Sequence, residues 1–229
     1  QTRWASLSAR NPLERRVADE RTFFALTRAG ADSLATAYPR ATAKASTLFV
    51  PERPDLAPVE ERPHAIGLFG LVYRGKGFDQ IARLRAQIPD HIAIRVAGRG
   101  TEHLPPVDGV DIVGEVNGAE EDAFFGSIRA LVVPYGRRTI YGDAFPASSV
   151  VTRALAYQTP IVCMKYGALA ESDGGVVVVD GDIDNLADAA TRVVTDETAL
   201  RQLRREVETL RRANTPELVV QDFLAEWSK

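Results

Sequence analysis

The sequence predicts an α/β protein: a Rossmann-like parallel sheet with helices on both faces, preceded by a partial N-terminal segment. Three observations predict it. From residue 65 onward, short apolar runs alternate with amphipathic stretches, the pattern of βαβ units. The apolar runs are continuous rather than alternating, as in strands covered on both faces. Several end in glycine or proline, as at Phe69-Gly70, Ala97-Gly98, Val113-Gly114 and Val133-Pro134. Those turns fall at the carboxyl edge of the sheet, where such folds bind ligands.

Composition narrows the possibilities. The 229 residues, 45 % of them apolar, hold one large domain or one domain plus a piece of another. A formal net charge of −3 argues against a general nucleic-acid binder, which is usually basic. One cysteine, Cys163, excludes an internal disulfide and any multi-cysteine metal site, and it fits a reducing, cytoplasmic setting. His64, His91 and His103 are scattered without metal-ligand spacing, so no metal is expected. No apolar run approaches the roughly 18 residues of a membrane span, and no secretory signal is visible. The expected location is cytoplasmic, peripheral attachment to a membrane remaining compatible with it. The chain opens on Gln1, and the expectation is a piece of a longer chain.

In order, Arg3 to Arg21 reads as a charged helix with Trp4, Leu7, Leu13 and Val17 on its apolar side. Phe23–Leu26 is a strand candidate, Ala29–Tyr38 a helix stopped by Pro39, and Thr47–Val50 a second strand candidate. Pro51 to Pro63, with four prolines, reads as a linker. Strands follow at Ala65–Phe69, Ile92–Ala97, Val110–Val113, Leu131–Val133, Ile161–Met164 and Val176–Val179. Helices are expected at Phe78–Gln87, Glu120–Ser127, Val150–Tyr157, Leu186–Val194, Leu200–Arg212 and Glu217–Trp227.

The stretch from Gly142 to Met164 organises the rest. It reads as an irregular loop closed by Phe145-Pro146, a helix capped by Ser148 or Ser149, a stop at Gln158-Thr159-Pro160, and a buried strand. A helix N-terminus at the carboxyl edge of a sheet favours a phosphate through its free N–H groups and its dipole. The same residues also fit an ordinary capped helix. The turn Gly70-Leu71-Val72-Tyr73-Arg74-Gly75-Lys76-Gly77 has glycines for close approach and two cations suited to a diphosphate, and it equally fits a solvated basic turn. Gly98-Arg99-Gly100 and Gly114-Glu115-Val116 frame a flat base or simply end two strands. Asp143 is suited to a sugar hydroxyl or a developing cation, and also to a solvated loop; Arg137 and Arg138 are suited to an anion or to solvent. Ser148 and Ser149 lack the GxSxG setting of a hydrolase nucleophile.

The order of these pieces resembles the C-terminal, nucleotide-sugar-binding domain of GT-B glycosyltransferases, in particular the large family-4, group 1 class. The resemblance rests on Phe69-Gly70 leading to Lys76-Gly77, on Gly98-Arg99-Gly100, on Gly114-Glu115-Val116, and on Val132-Val133-Pro134. It continues through Asp143-Ala144-Phe145-Pro146, Arg153-Ala154-Leu155-Ala156, Gln158-Thr159-Pro160-Ile161-Val162 and Gly167-Ala168-Leu169-Ala170-Glu171. It implies transfer of a sugar from a nucleotide diphosphate sugar to a carbohydrate or lipid-linked acceptor, without a metal or other cofactor. It implies Asp143, Lys76 and Arg74 as catalytic residues, and Gly70, Gly98, Gly114, Glu115, Val116, Ser148, Ser149, Val150 and Arg153 around the donor. The domain expectation is a tail of an N-terminal domain plus linker over 1–63, a donor-binding domain over 64–212, and a crossing helix over 213–229, with most of the N-terminal domain missing.

Two departures stand out. Arg153 occupies the position where the family usually has a ribose-holding glutamate, and arginine cannot accept a hydrogen bond. Leu71 stands where the family often has a basic residue, with Arg74 as its replacement. A non-catalytic nucleotide- or partner-binding domain of the same fold is therefore the alternative reading, and an unrelated α/β sugar-phosphate or nucleotide enzyme a more distant one.

Overall fold

The computed structural model describes residues 16–136, 147–172 and 174–227. Its elements are β1 (Thr22–Ala25), α1 (Arg28–Ala37), β2 (Thr42–Ala45), β3 (Ala65–Phe69), α2 (Ile81–Gln87), β4 (Ala93–Ala97), β5 (Val110–Gly114) and α3 (Ala119–Gly126). They continue with β6 (Ala130–Val133), α4 (Ser149–Ala156), β7 (Ile161–Met164), β8 (Val176–Val179), α5 (Ile183–Thr195), α6 (Glu197–Ala213) and α7 (Pro216–Trp227). The charged stretch expected to be helical over Arg3–Arg21 lies mostly outside the described residues.

The main sheet has six strands in the order β5-β4-β3-β6-β7-β8, every neighbouring pair parallel. The chain runs outward from β3 to β5 and returns to β6 on the other side of β3. The order therefore reverses between β3 and β6, the switch point at which doubly wound sheets open a crevice. Helices cover both faces. Leu84 of α2 and Leu186, Ala190 and Val194 of α5 pack with Ile66, Leu68, Ile94 and Val162 on one face. Phe124 and Phe125 of α3, Ala154 and Leu155 of α4 and Val207 of α6 pack with Phe69, Leu131, Val133 and Cys163 on the other. Each fully buried Leu or Ile contributes about 1.5–3 kcal/mol of apolar transfer free energy, so the two layers hold the sheet edge rigid.

β1 and β2 form a separate two-stranded parallel sheet joined through α1. Helix α7 lies against it: Phe223 meets Phe24 edge to face with ring centroids 4.5 Å apart, and Glu226 pairs with Lys44. One expectation is corrected here. The second N-terminal strand is Thr42–Ala45, not Thr47–Val50, because register is set by pairing of Thr22 to Thr42 and Ala25 to Ala45. Thr47 and Val50 are instead tied to Asn214 at the end of α6, by a side-chain bond of 2.9 Å and a backbone bond of 2.7 Å.

The Pro51–Pro63 stretch is anchored at Val59 and Arg62, while Glu52, Pro54, Asp55, Ala57, Glu61 and Pro63 stay exposed. Val59 is fully buried, and Arg62 is only 3 % exposed. The Arg62 guanidinium donates to the carbonyls of Ala57, Phe125, Ile128 and Tyr157 and to Thr159 Oγ1. Arg129 donates to the carbonyls of Arg62, Glu60 and Val194 and pairs with Glu197 at 2.9 Å. Two buried arginines thus stitch the linker to the base of the sheet. Desolvation lowers the Arg62 pKa to about 10, and the dense set of acceptors keeps it charged at neutral pH.

Candidate functional site

At the switch point the loops after β3 and β6 interlock. A Cβ on Gly77 would lie 1.9 Å from the Pro134 carbonyl oxygen, and its φ is +77°, so only glycine fits. The Gly136 N–H donates to the Gly75 carbonyl at 3.0 Å. On the other side, a Cβ on Gly98 would lie 2.2 Å from the Gly70 carbonyl oxygen, with φ +124°. The N–H of Gly70 donates to Ala97 and that of Gly98 to Gly114, at 3.0 and 2.8 Å. The turns after β3, β4 and β5 therefore form one continuous backbone floor.

Lys76 and Arg74 part company in this frame. Arg74 stands exposed at the tip of the turn. Lys76 is half-buried, its ammonium 3.7 Å from the centroid of the Tyr135 ring and 5.2 Å from that of Tyr73. Burial lowers its pKa from the ordinary 10.5 to about 8. A cation held by aromatic faces is one ready for an anionic ligand.

Tyr135 links this lysine to α4. Its hydroxyl is 3.0 Å from Ser148 Oγ, and burial raises its pKa to about 12, so it stays protonated. This corrects the expected cap. Ser148 occupies the N-cap position but makes no side-chain cap bond, its hydroxyl being engaged by Tyr135, and Ser149 is the first helical residue. The Ser148 carbonyl accepts from Val151 at 3.0 Å, while the Ser149 and Val150 N–H groups have no acceptor among the described residues. Among the described residues this helix start, near a half-buried lysine, has the electrostatics that favour an anion.

The described residues bring Lys76, Ser148, Ser149 and Val150 together at α4, and Gly70, Gly98 and Gly114 into the adjoining floor. Val116 is buried in the core cluster that contains Phe69 and Ala97. Glu115 lies at its outer end, 3.7 Å from the Arg99 guanidinium. Asp143, Arg137 and Arg138 lie outside the described residues.

Arg153, one turn into α4, points along α3 and the end of β3. Its guanidinium is 2.6 Å from Glu121 Oε2 and 5.6 Å from the Phe69 ring centroid. Glu121, 4 % exposed, is also 3.5 Å from Arg53 of the linker and 3.3 Å from the Tyr157 hydroxyl. That hydroxyl donates at 2.6 Å to Asp122, and burial raises the Tyr157 pKa. Sequence reasoning missed Glu121, Arg53 and Tyr157. Glu121 reads there as one of several acids opening a helix, and only the packing of α3 on α4 makes it a partner. Glu171 was legible as part of a motif but not in its contact: its carboxylate accepts from the backbone N–H of Arg28 and Ala29, both at 3.0 Å, capping α1 from across the chain.

A cleft of about 850 Å³ opens beyond the Gly70–Gly77 turn, lined by Val72, Phe78, Ile81, Leu104 and Val107 among others. It is largely apolar and lies beside the cationic turn, not at the α4 N-terminus, so the polar chemistry of the site is placed elsewhere.

This architecture is that of a GT-B glycosyltransferase α/β domain. The sequence profile described as Glycosyl transferases group 1 matches residues 64–196, more than half of the chain, and the protein belongs to that family. No curated protein matches it by sequence. Among solved structures it is similar to HepE of Anabaena in complex with UDP and glucose (TM-score 0.71, 14 % identity), covering 98 % of this chain and 69 % of that one. It is also similar to the sucrose-phosphate synthase of Thermosynechococcus elongatus (TM-score 0.74, 16 % identity), covering 94 % of this chain and 60 % of that one. A UDP-forming α,α-trehalose-phosphate synthase from Burkholderia xenovorans matches with TM-score 0.68 at 14 % identity, covering 98 % and 65 %. Among the described residues no helix is long and apolar enough to cross a membrane.

Proposed function

We propose that this chain is the donor-binding part of a glycosyltransferase that moves a sugar from a nucleoside diphosphate sugar to an acceptor hydroxyl. Residues 64–212 form the donor-binding domain, 1–63 the end of an acceptor-side domain with its linker, and 213–229 the helix that crosses back. The observation that carries the reading is the Lys76–Tyr135–Ser148 chain, which links a half-buried cation to the start of α4. The diphosphate lies between the Gly70–Gly77 turn and Ser149–Val150. The base lies over the glycine turns at Gly98 and Gly114, with Glu115 and Val116 at its edge. The UDP in the HepE complex supports the ligand class.

In the reaction the bond from the sugar's anomeric carbon to the diphosphate oxygen breaks, and a bond from that carbon to the acceptor oxygen forms. The electron pair leaves with the diphosphate, and the acceptor loses its proton. Negative charge thus develops on the leaving oxygens, where the Lys76 ammonium and the helix N–H groups act. Arg74 reaches the same charge from solvent. Asp143, in the segment leading to α4, is assigned to the sugar or to the developing cation at its anomeric carbon. The protein needs no metal for this, because fixed cations serve the leaving group.

The pairing of Arg153 with Glu121 favours a second reading, a domain of the same fold that binds nucleotide without transferring sugar. Incubation with a panel of radiolabelled nucleotide sugars separates the two. Release of nucleoside diphosphate that is lost in Lys76→Met supports the transferase, whereas binding without turnover supports the second.

A further inference from the structure

We propose that Glu171 is a latch between the N-terminal lobe (β1, α1 and β2) and the donor domain, a positioning residue that sets how far the cleft between them stands open beside the start of α4. What the latch serves rests on the donor-site reading above; the contact itself does not.

Helix α1 has no acid in its first turn to answer its dipole. Thr27 satisfies the Gly30 N–H through its hydroxyl and the Ala31 N–H through its carbonyl, both at 3.0 Å. The two N–H groups before them, on Arg28 and Ala29, donate to Glu171 Oε2 and Oε1, each at 3.0 Å. That carboxylate comes from the donor domain, 142 residues beyond Ala29. Glu171 ends the short 3₁₀ turn Gly167–Glu171 that follows β7, and Leu169, buried in the core, fixes that turn to the sheet. A carboxylate on so anchored a turn loses little freedom in meeting the helix.

The chain passes between the lobe and the donor domain at Thr47–Val50 and again at Asn214–Pro216. Both crossings are tied at Asn214, whose side-chain oxygen accepts from Thr47 Oγ1 at 2.9 Å and whose carbonyl accepts from the Val50 N–H at 2.7 Å. A joint tied at one point acts as a hinge, and the angle it takes is set by what touches across the cleft. Glu171 supplies such a contact. The cleft, about 310 Å³, is lined by Leu26, Thr27 and Ser46 of the lobe and by Ser148, Thr152 and Glu171 of the donor domain. Ser148 is the N-cap of α4, so the latch and the candidate diphosphate site share one cleft. With the carboxylate engaged, the lobe is held over α4. With it released, α1 regains two open N–H groups and the lobe turns away.

Double electron–electron resonance tests this on the chain as it stands. Spin labels on Ala35→Cys in α1 and Asp188→Cys in α5, both exposed positions, report the distance between lobe and donor domain, while the single native cysteine, Cys163, is buried. With Glu171 intact, one distance should dominate. Glu171→Ala should shift the ratio of closed to open arrangements by about fivefold or more, the effect of one lost helix cap. Glu171→Lys, which sets a cation against the helix start, should shift it further. Thr27→Ala is the control: it removes a cap made within the lobe and should fray α1 without moving the distance. A distribution unchanged in Glu171→Ala and Glu171→Lys would overturn the latch. An equal change in Thr27→Ala would overturn it too, by reducing Glu171 to an ordinary cap. Glu171 is exposed, so both of its variants should fold; if circular dichroism shows that one does not, the other decides alone. The distances report on the latch whether or not a nucleotide binds, so failure of the donor-site reading, seen as no binding of UDP, GDP, ADP or dTDP, is a separate result.

Discussion

Replacing Lys76 by methionine removes the ammonium and keeps most of the side-chain volume. The lysine sits on the Tyr135 ring at 3.7 Å, half-buried, and burial has already lowered its pKa to about 8. Its charge is therefore costly in the free protein and is repaid when a diphosphate arrives. A charge-assisted hydrogen bond is worth roughly 1.5–3 kcal/mol, so Lys76→Met should weaken nucleoside diphosphate binding about 10- to 150-fold. The pH dependence has a definite sign. A bound diphosphate stabilises the ammonium and raises its pKa, so binding takes up a proton above pH 8, and affinity falls by up to about tenfold per pH unit there. Between pH 6 and 7.5 Lys76 contributes no slope. Folding is linked in the opposite sense. The native lysine loses its proton near 8 and the unfolded one near 10.5, so between these values the unfolded state holds more protons and stability of the free protein rises with pH. Calorimetry from pH 7 to 9.5 reads the binding arm, and Lys76→Arg, which does not titrate in this range, should flatten it. A dissociation constant unchanged in Lys76→Met, or a wild-type profile flat to pH 9.5, would refute the reasoning.

Other expectations follow from single contacts. Arg62→Met removes the buried donor to the carbonyls of Ala57, Phe125 and Tyr157 and should cost about 1–3 kcal/mol in a urea melt, and no change in the melt would show that the anchor is dispensable. Glu171→Ala removes the cap on Arg28 and Ala29, worth about 1 kcal/mol, and should raise amide exchange in the first turn of α1 while leaving β3 to β6 protected. Gly77→Ala drives a Cβ against the Pro134 carbonyl and should displace the turn that carries Lys76, abolishing diphosphate binding in a chain that still shows helical circular dichroism.

The main sheet was legible because its strands are unbroken apolar runs closed by glycine or proline, so that Ala65–Phe69, Ile161–Met164 and Val176–Val179 come straight from the sequence. The N-terminal pair was half legible. Thr42–Ala45 carries a lysine and no large apolar residue, and its strand state comes from pairing with β1, whereas the more apolar Thr47–Val50 is held by Asn214. At the candidate site, the glycine floor and Lys76 follow from local spacing. The Ser148 hydroxyl does not, because its partner Tyr135 is thirteen residues earlier and competes with the cap. Glu121 and Arg153 are 32 residues apart on different helices, and only the packing of α3 against α4 joins them. Long-range polar pairing leaves no periodic trace in a single sequence, while hydrophobic periodicity does.

The most direct test of the donor-site account is calorimetric titration of this chain with UDP, GDP, ADP and dTDP, each beside its monophosphate. The account predicts that at least one diphosphate binds about tenfold or more tightly than its monophosphate, since the second phosphate reaches Lys76 and the start of α4. Absence of binding by all four, or equal binding of mono- and diphosphates, would contradict it.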